Sequence, residues 1–435
     1  MAGTLSLEPI STKQAWIAEL ASRQPRMQLT TLAHHMDEAW LRAAWKRTRK
    51  DGAAGVDGMT SGQFAEGLDE RLRGLVDSAK SGRWRAPPVR RTYIPKGKSV
   101  RPLGIPTLED KVLQRAFLML LEPVYEQDFL DCSYGFRPGR NAHQALERLR
   151  EGLWKMGGGW VLDVDLRSFF DTVDHGILQG LVKERVRDGV VCRMIGKWLN
   201  AGVMENGAVV HQNRGTPQGG VLSPLLSNIY LHHAVDVWFE EVVKPRLRGS
   251  AFMVRYADDF VMAFETEDDA RRVQKVLMLR LGRFKLELNS EKTRLVRFER
   301  AGGSRKAETF DFLGFTLYWG KSRRGRATIR WKTSRKSLNK TLTRFNQWCR
   351  RNRHRSIPWQ HHAITRSLRG HDAYFGLTMN GRALQQLRRR VVRIWHRWLS
   401  RRSQRARLTW ERFRSILRRF PLPEARVVHS VYRRA

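Results

Sequence analysis

Two adjacent carboxylates, Asp258 and Asp259, stand between apolar arms in the stretch Phe252-Met253-Val254-Arg255-Tyr256-Ala257-Asp258-Asp259-Phe260-Val261-Met262-Ala263-Phe264. The arms are of strand length and rich in β-branched and aromatic residues, which predicts a hairpin with the pair at or near its tip. Neighbouring carboxylates repel each other away from water, and a bound cation removes the conflict. Asp also serves turns by bonding nearby backbone, so this stretch alone leaves a structural turn and a metal site both open. Successive strand residues point to opposite faces, which makes Asp258 the firmer ligand unless the turn breaks the alternation and brings Asp259 round.

A third carboxylate comes from Trp160-Val161-Leu162-Asp163-Val164-Asp165-Leu166-Arg167-Ser168-Phe169-Phe170-Asp171, an apolar strand in which Asp163 and Asp165 share a face. Asp171 or Asp174 reads as a helix cap; an acid inside the apolar run does not. Asp165, Asp258 and Asp259 together form a set able to hold two Mg²⁺ about 3.5–4 Å apart, with Mn²⁺ a possible substitute. Such a pair serves phosphoryl transfer, one ion sharpening an attacking 3′-oxygen and the other steadying a leaving pyrophosphate.

These residues need positioning elements. Residues 1–50 show helical spacing with Ala39, Trp40, Ala43 and Ala44 as one face, and Gly52, Gly55 and Gly58 then mark turns whose spacing does not match a P-loop. Arg90–Pro106 reads as two short strands around a basic turn; its prolines limit it to an edge, so Lys96, Lys98 and Arg101 are presented outward. That ribbon suits a solvated hairpin and a phosphate grip equally. Helices are predicted from Leu108 to Phe129, from about Ala142, from the Gly215–Ser223 loop to about Trp238, and from Asp268 to about Phe284. A strand is predicted to start at Leu286-Glu287-Leu288, with a turn at Asn289–Thr293, and another strand over Phe310–Phe315. Leu338, Leu342, Phe345 and Trp348 form one helical stripe, and Val391, Ile394, Trp395, Trp398 and Leu399 another, each beside a basic face.

Charge divides the chain. The net charge is +39, and residues 321–435 hold 33 Lys and Arg against Asp372, Glu411 and Glu424 alone, a net of +30; residues 1–320 carry 48 and 39. With six Trp interleaved among the tail's Arg, nucleic acid fits better than a membrane surface. Three scattered cysteines, Cys132, Cys192 and Cys349, argue against a disulfide framework or zinc knuckle and for a reducing compartment. The paired histidines at 34–35, 232–233 and 361–362 read as surface or packing residues, because neighbours share no face. No run approaches the roughly 18 apolar residues of a membrane span, and no signal peptide opens the chain, so a cytoplasmic protein without membrane contact is expected.

The order of motifs resembles that of bacterial group II intron reverse transcriptase/maturases, from about Arg42 onward. Tyr256-Ala257-Asp258-Asp259 is similar to that family's catalytic box and Val164–Asp171 to its first metal-binding box, with Thr216-Pro217-Gln218-Gly219, Leu288–Thr293 and Phe312-Leu313-Gly314-Phe315 in the family's order. Residues 42–66 resemble its N-terminal segment, and Leu368–Phe375 resembles its maturase signature. The resemblance implies an α+β right-hand polymerase, with fingers and palm over 1–320 (N-terminal extension about 1–90), a helical thumb over 321–390 and a basic nucleic-acid-binding region over 391–435. It implies Mg²⁺ on Asp165, Asp258, Asp259 and the Leu166 carbonyl. It places Lys96, Arg101 and Gln218 near the incoming dNTP, Phe170 under the sugar against a 2′-hydroxyl, and Lys292 near the primer side. The partners implied are group II intron RNA, an RNA template with DNA primer or target DNA, and dNTPs. With no cysteine after Cys349, the chain resembles the endonuclease-lacking subgroup.

Three functions follow: an RNA-directed DNA polymerase that also assists intron splicing and mobility; a splicing cofactor with a vestigial polymerase; or a reverse transcriptase recruited elsewhere, as in phage defence. The intact carboxylates and the maturase-like signature favour the first.

Overall fold

The computed structural model describes residues 10–96, 99–205, 208–210, 214–215, 219–300, 308–322, 324–403 and 408–430, with only the backbone of Lys96 and Ser99. The chain divides into two compact units, Met1–Ala145 with Leu162–Arg294 and Leu146–Val161 with Leu295–Ala435. Both mix helices with small, mostly antiparallel sheets.

The first unit starts with α1 (Ile10–Arg23) and α2 (Glu38–Arg47). Asp37 caps α2 by accepting from the Trp40 N–H at 2.7 Å. The helix buries Trp40, Leu41, Ala44 and Trp45. That face is turned from the expected one, leaving Ala39 and Ala43 half-buried, since two indoles remove more apolar surface from water than two methyls. Short α3 (Ser61–Ala65) begins with a capping box of Thr60 and Gln63, and α4 (Leu68–Ser81) follows. β1 (Val89–Lys96) and β2 (Ser99–Ile105) then form the expected antiparallel ribbon, with Arg101 opposite Ile94. β2 lies at a sheet edge, where Pro102 leaves no ladder bond unmade.

α5 (Leu108–Asp128) and β3 (Trp160–Asp165) come next; α6 (Ala142–Met156), between them in the chain, falls mostly in the second unit. Beyond β3, the one-turn α7 (Phe169–Thr172) leads to α8 (His175–Arg185), which Asp174 caps by accepting from the Ile177 N–H at 3.0 Å, and α9 (Gly189–Leu199). β4 (Val203–Glu205) and β5 (Ala208–Val210) complete the first sheet, in the order β2-β1-β4-β5. α10 (Ser223–Leu231) continues as π-helical turns over His232–Asp236 and Trp238–Val243, past the expected end.

β6 (Ala251–Tyr256) and β7 (Asp259–Phe264) pair as the expected hairpin, and β7 lies between β6 and β3 in the sheet. α11 (Glu267–Arg283) follows. The strand expected from Leu286 does not form: Leu288 makes a single bridge with Leu166, and β8 (Arg294–Arg297) starts later. The turn between them explains this, because the N–H groups of Lys292 and Thr293 both bond the Asn289 carbonyl and cannot join a ladder.

In the second unit, the apolar run Phe310–Phe315 is not one strand but two. β9 (Phe310–Phe312) and β10 (Phe315–Lys321) pair across Leu313-Gly314, whose φ values of 48° and 79° suit the mirror-image turn of a two-residue hairpin. β11 (Ala327–Thr333) extends this sheet, so the region expected to be helical from 321 begins with a strand. Four helices follow, α12 (Arg335–Arg351), α13 (Ile357–Phe375), α14 (Gly381–Leu399) and α15 (Trp410–Arg419). Leu338, Phe345, Ile364, Leu368, Val391, Trp395 and Phe413 pack as their common core. Along α12 the buried stripe runs Leu338, Thr341, Phe345, Cys349, with Leu342 and Trp348 half-buried beside it, because a 3.6-residue turn drifts off a strict 4-3-3 spacing. All three cysteines are free, and no helix among the described residues is long and apolar enough to cross a membrane.

Asp110 in the first turn of α5 is buried and accepts from the Trp198 indole N–H at 2.8 Å. Burial pushes its carboxyl up from 3.8 to about 7, while the indole hydrogen bond works the other way. The folded state therefore keeps a proton that the unfolded chain releases near pH 4, so this group's stabilisation is complete in acid and is lost as pH climbs through about 4 to 7. Asp110→Asn keeps the acceptor without the charge. Its melting temperature relative to the parent protein is expected to rise between pH 5 and pH 8.

Candidate active site

The hairpin tip is set by register. Tyr256 pairs with Asp259, so the loop is Ala257-Asp258 alone. Ala257 has a φ of 57°, a left-handed conformation that two-residue hairpin loops impose and that glycine would take more readily. This turn interrupts the strand alternation. Asp258 belongs to the loop, and Asp259 is exposed as the first residue of β7.

A non-glycine residue in that region persists only where its surroundings over-determine it. The segment 132–135 does so from one side. The Arg255 N–H donates to the Cys132 carbonyl at 2.7 Å and the Tyr134 N–H donates to the Arg255 carbonyl at 2.9 Å. Gly135 then passes so close that a Cβ there would lie 2.3 Å from the Ala257 nitrogen.

From beneath, Arg255 holds the tip. Its guanidinium is fully buried, and its five N–H groups meet five acceptors. Nε and Nη2 grip Asp236 at 2.7 and 2.5 Å, Nη2 also reaches the Ser133 hydroxyl at 2.8 Å, and Nη1 donates at 3.0 Å to both Asn228 Oδ1 and the Ala257 carbonyl. Burial disfavours the guanidinium's charge, yet Asp236 and its hydrogen bonds hold the pKa above the ordinary value, with Asp258 contributing in the same direction. Asn228 lies on α10, and its amide also donates to the Gly135 carbonyl at 2.8 Å. Asp236 lies in the π-helical continuation, where an extra residue in the turn re-aims a side chain. Sequence inspection missed Arg255, Asp236, Asn228, Ser133 and Gly135. One signal was present: Arg255 is the single charge inside an apolar arm.

Asp165 closes β3, the strand beside β7. The turn expected at 289–293 wraps it: the Asn289 N–H donates to the Asp165 carbonyl at 2.8 Å, the Thr293 hydroxyl accepts from its N–H at 3.4 Å, and Lys292 Nζ lies 3.1 Å from Oδ2. With Asp165 and Lys292 side chains 43% and 61% exposed, the ion pair is worth at most about 1 kcal/mol. Asp163 receives Arg294 at 3.3 Å. Leu166 is buried, its backbone bridged to Leu288.

Phe170 is half-buried in α7, edge-on to buried Phe169 at 5.2 Å, after a left-handed Ser168. Gln218 lies outside the described residues, but both ends of its loop are anchored. The Gly215 N–H donates to the Val173 carbonyl at 2.8 Å, and Gly219 passes so close to β2 that a Cβ would lie 2.4 Å from the Gly104 carbonyl. Arg101 is exposed on β2; the side chain of Lys96 lies outside the described residues.

Among the described residues no three His, Cys, Asp or Glu side chains stand close enough to cage an ion. The donors nonetheless suit a hard cation, which Mg²⁺ sites commonly hold with one or two carboxylates plus substrate phosphates. The histidine pairs supply no alternative, since none of them belongs to a group of three such side chains among the described residues; burial, with His233 and nearby arginines, lowers His232 to about 3.

Residues 94–317 match the family described as Reverse transcriptase (RNA-dependent DNA polymerase), and that span includes every site residue above from Arg101 to Lys292, together with Lys96. The chain belongs to the reverse transcriptase family. It is 34% identical over 355 residues to Protein YkfC of Escherichia coli K12, covering 74% of this chain and 91% of that one. It is 44% identical over 167 residues to the Group II intron-encoded protein LtrA of Lactococcus lactis subsp. cremoris, covering 38% of this chain and 27% of LtrA. A third similarity, 33% over 90 residues, is to the mitochondrial Nuclear intron maturase 1 of Arabidopsis thaliana, of which it covers 12%. Reverse transcriptases use divalent metal ions, and this chain is an RNA-directed DNA polymerase by membership.

Two substitutions test the support of the tip. Gly135→Ala sets a methyl against backbone that cannot swing aside, and is expected to reduce primer extension well before it lowers the melting temperature. Arg255→Met strands the buried Asp236 carboxylate and is expected to destabilise the fold by about 3–5 kcal/mol in urea unfolding.

Proposed function

We propose that this chain is the RNA-directed DNA polymerase of a group II intron, copying RNA into cDNA and binding intron RNA to assist splicing and mobility. The observation that carries the reading is the Ala257-Asp258 turn, held in a left-handed conformation by a fully satisfied buried arginine and lying inside the matched segment. A turn serving only to reverse the chain needs no such framework.

In this reading the first unit supplies fingers and palm, and the second includes the thumb and the basic nucleic-acid-binding region. Asp165, Asp258 and Asp259, with the Leu166 carbonyl, would hold Mg²⁺. Bound there, the metal supplies Lewis-acid stabilisation for phosphoryl transfer from a dNTP to a primer 3′-oxygen. The chain's own residues bind and orient. Arg101 and Lys96 on the β1–β2 ribbon present cations to the triphosphate, as charge-assisted bonds to phosphate favour. Phe170 offers a flat apolar surface beneath the sugar that leaves no room or partner for a 2′-hydroxyl. Gln218 is flanked by Gly215, tied to the Phe170 segment, and by Gly219, close against β2, and this flanking supports a role beside the incoming nucleotide. Lys292 holds the Asp165 carboxylate oriented through an exposed pair weak enough for substrate to displace.

Intron RNA binding draws support from the +30 charge of residues 321–435 and from the similarity to LtrA, described as group II intron-encoded. A cytoplasmic ribonucleoprotein, nucleoid-associated when acting on DNA, accords with this reading. The test is primer extension on an RNA template annealed to a DNA primer. Asp258→Ala and Asp165→Ala are each expected to reduce Mg²⁺-dependent dNTP incorporation to background while RNA affinity stays at the parent level; undiminished cDNA synthesis in either variant overturns the assignment.

A further inference from the structure

The C-terminal end of α14 gathers aromatic rings and unneutralised arginines in the second unit. Trp359, at the start of α13, stacks on Trp348 of α12 with ring centroids 5.6 Å apart and planes 12° from parallel. Trp359 is 47% exposed, so part of its ring surface is open to solvent. Arg355 lies over the Trp359 ring at 5.6 Å, and the Arg355 carbonyl accepts from Arg402 just past α14 at 2.7 Å. Trp398, near the end of α14, has Arg350 and Arg401 within 5.9 and 5.6 Å of its ring. Among the described residues, neither Arg350, Arg355 nor Arg401 pairs with a carboxylate, and the whole stretch 321–435 holds only three acids.

Like charges gathered without counter-charges repel each other and raise the energy of the folded state, unless a polyanion completes the site. A parallel pair of indoles among arginines, half-buried Trp348 backing exposed Trp359, has a second property. Their faces accept any base, since every base has a π-face, while the guanidinium groups reach the flanking phosphates. A duplex hides its base faces, so an exposed indole gains nothing from it. Unpaired nucleotides satisfy both features at once.

We infer that this end of the helical unit binds unpaired nucleotides, with a base extending the Trp348–Trp359 stack and Arg350, Arg355 and Arg401 engaging the phosphates. The inference rests on the reading that the chain handles nucleic acid, but not on polymerase chemistry.

Fluorescence anisotropy with the full chain tests it, using oligo-dT and oligo-U of twelve nucleotides, an abasic strand of the same charge, and a blunt duplex. Stacking of one base contributes about 1–3 kcal/mol, or roughly 5- to 150-fold in affinity. Trp359→Ala is expected to weaken both base-bearing strands within that range, leave the abasic strand and duplex unchanged, and be largely rescued by Trp359→Phe. The two base-bearing strands also show whether RNA or DNA is preferred. Quenching of indole fluorescence by oligo-dT is a second readout, expected to fall in Trp359→Phe, which preserves the packing. Equal losses for base-bearing and abasic strands, or no loss at all with undiminished quenching, overturn the inference. Primer extension by the parent protein, run alongside, separates the two readings: absence of dNTP incorporation with the strand-selective loss in Trp359→Ala intact sinks the polymerase reading alone, whereas normal extension without that loss sinks this inference alone.

Discussion

The buried Arg255–Asp236 pair is the constraint on which the candidate active site depends. Removing both charges from water carries a penalty of several kcal/mol per ion, and only complete hydrogen bonding offsets it. Here all five guanidinium donors are used, by one carboxylate, one amide, one hydroxyl and the carbonyl of the strained Ala257. Asp236 comes from the π-helical continuation of α10, Asn228 from α10 itself, Ser133 from the loop after α5, and Ala257 from the hairpin tip. The helical stretch 228–236, the loop after α5 and the hairpin tip itself therefore converge on one cation, and a shift in any of them leaves a buried donor or acceptor unmatched. That explains how an alanine can be kept at a φ of 57° where glycine would relax.

The same framework separates rigid parts from adjustable ones. The backbone beneath Asp258 is fixed, whereas the Asp165 side chain is half-exposed and, among the described residues, paired with a solvated lysine. A site that must accept a charged nucleotide gains from this division. A preorganised backbone reduces the ordering needed when substrate arrives, while a loosely held carboxylate can exchange its lysine for a stronger partner.

The second unit works on different terms. Its helices close around an apolar core, and residues 321–435 carry a net +30 of the chain's +39. Stability there comes from burial, and the charge is left to solvent and to polyanions. Trp359 stacks on Trp348 with part of its ring surface left open to solvent.

How much of this was legible in the sequence depends on the range of the interaction concerned. Hairpin, ribbon, helix caps and the 289–293 turn were readable because each is decided by residues a few positions apart, through periodicity, proline and side-chain capping. The basic tail was readable because charge is additive and needs no geometry. Local pattern misled where tertiary contacts decided the outcome: the Phe310–Phe315 run folds back on itself, the α12 stripe drifts by one residue, and the strand expected at Leu286 yields to a turn that holds Asp165. The acids proposed for the site stood out by their placement in apolar strands. What holds Asp258 in position did not, because Arg255 finds its partners 19, 27 and 122 residues away, and only the folded chain brings those acceptors around one guanidinium.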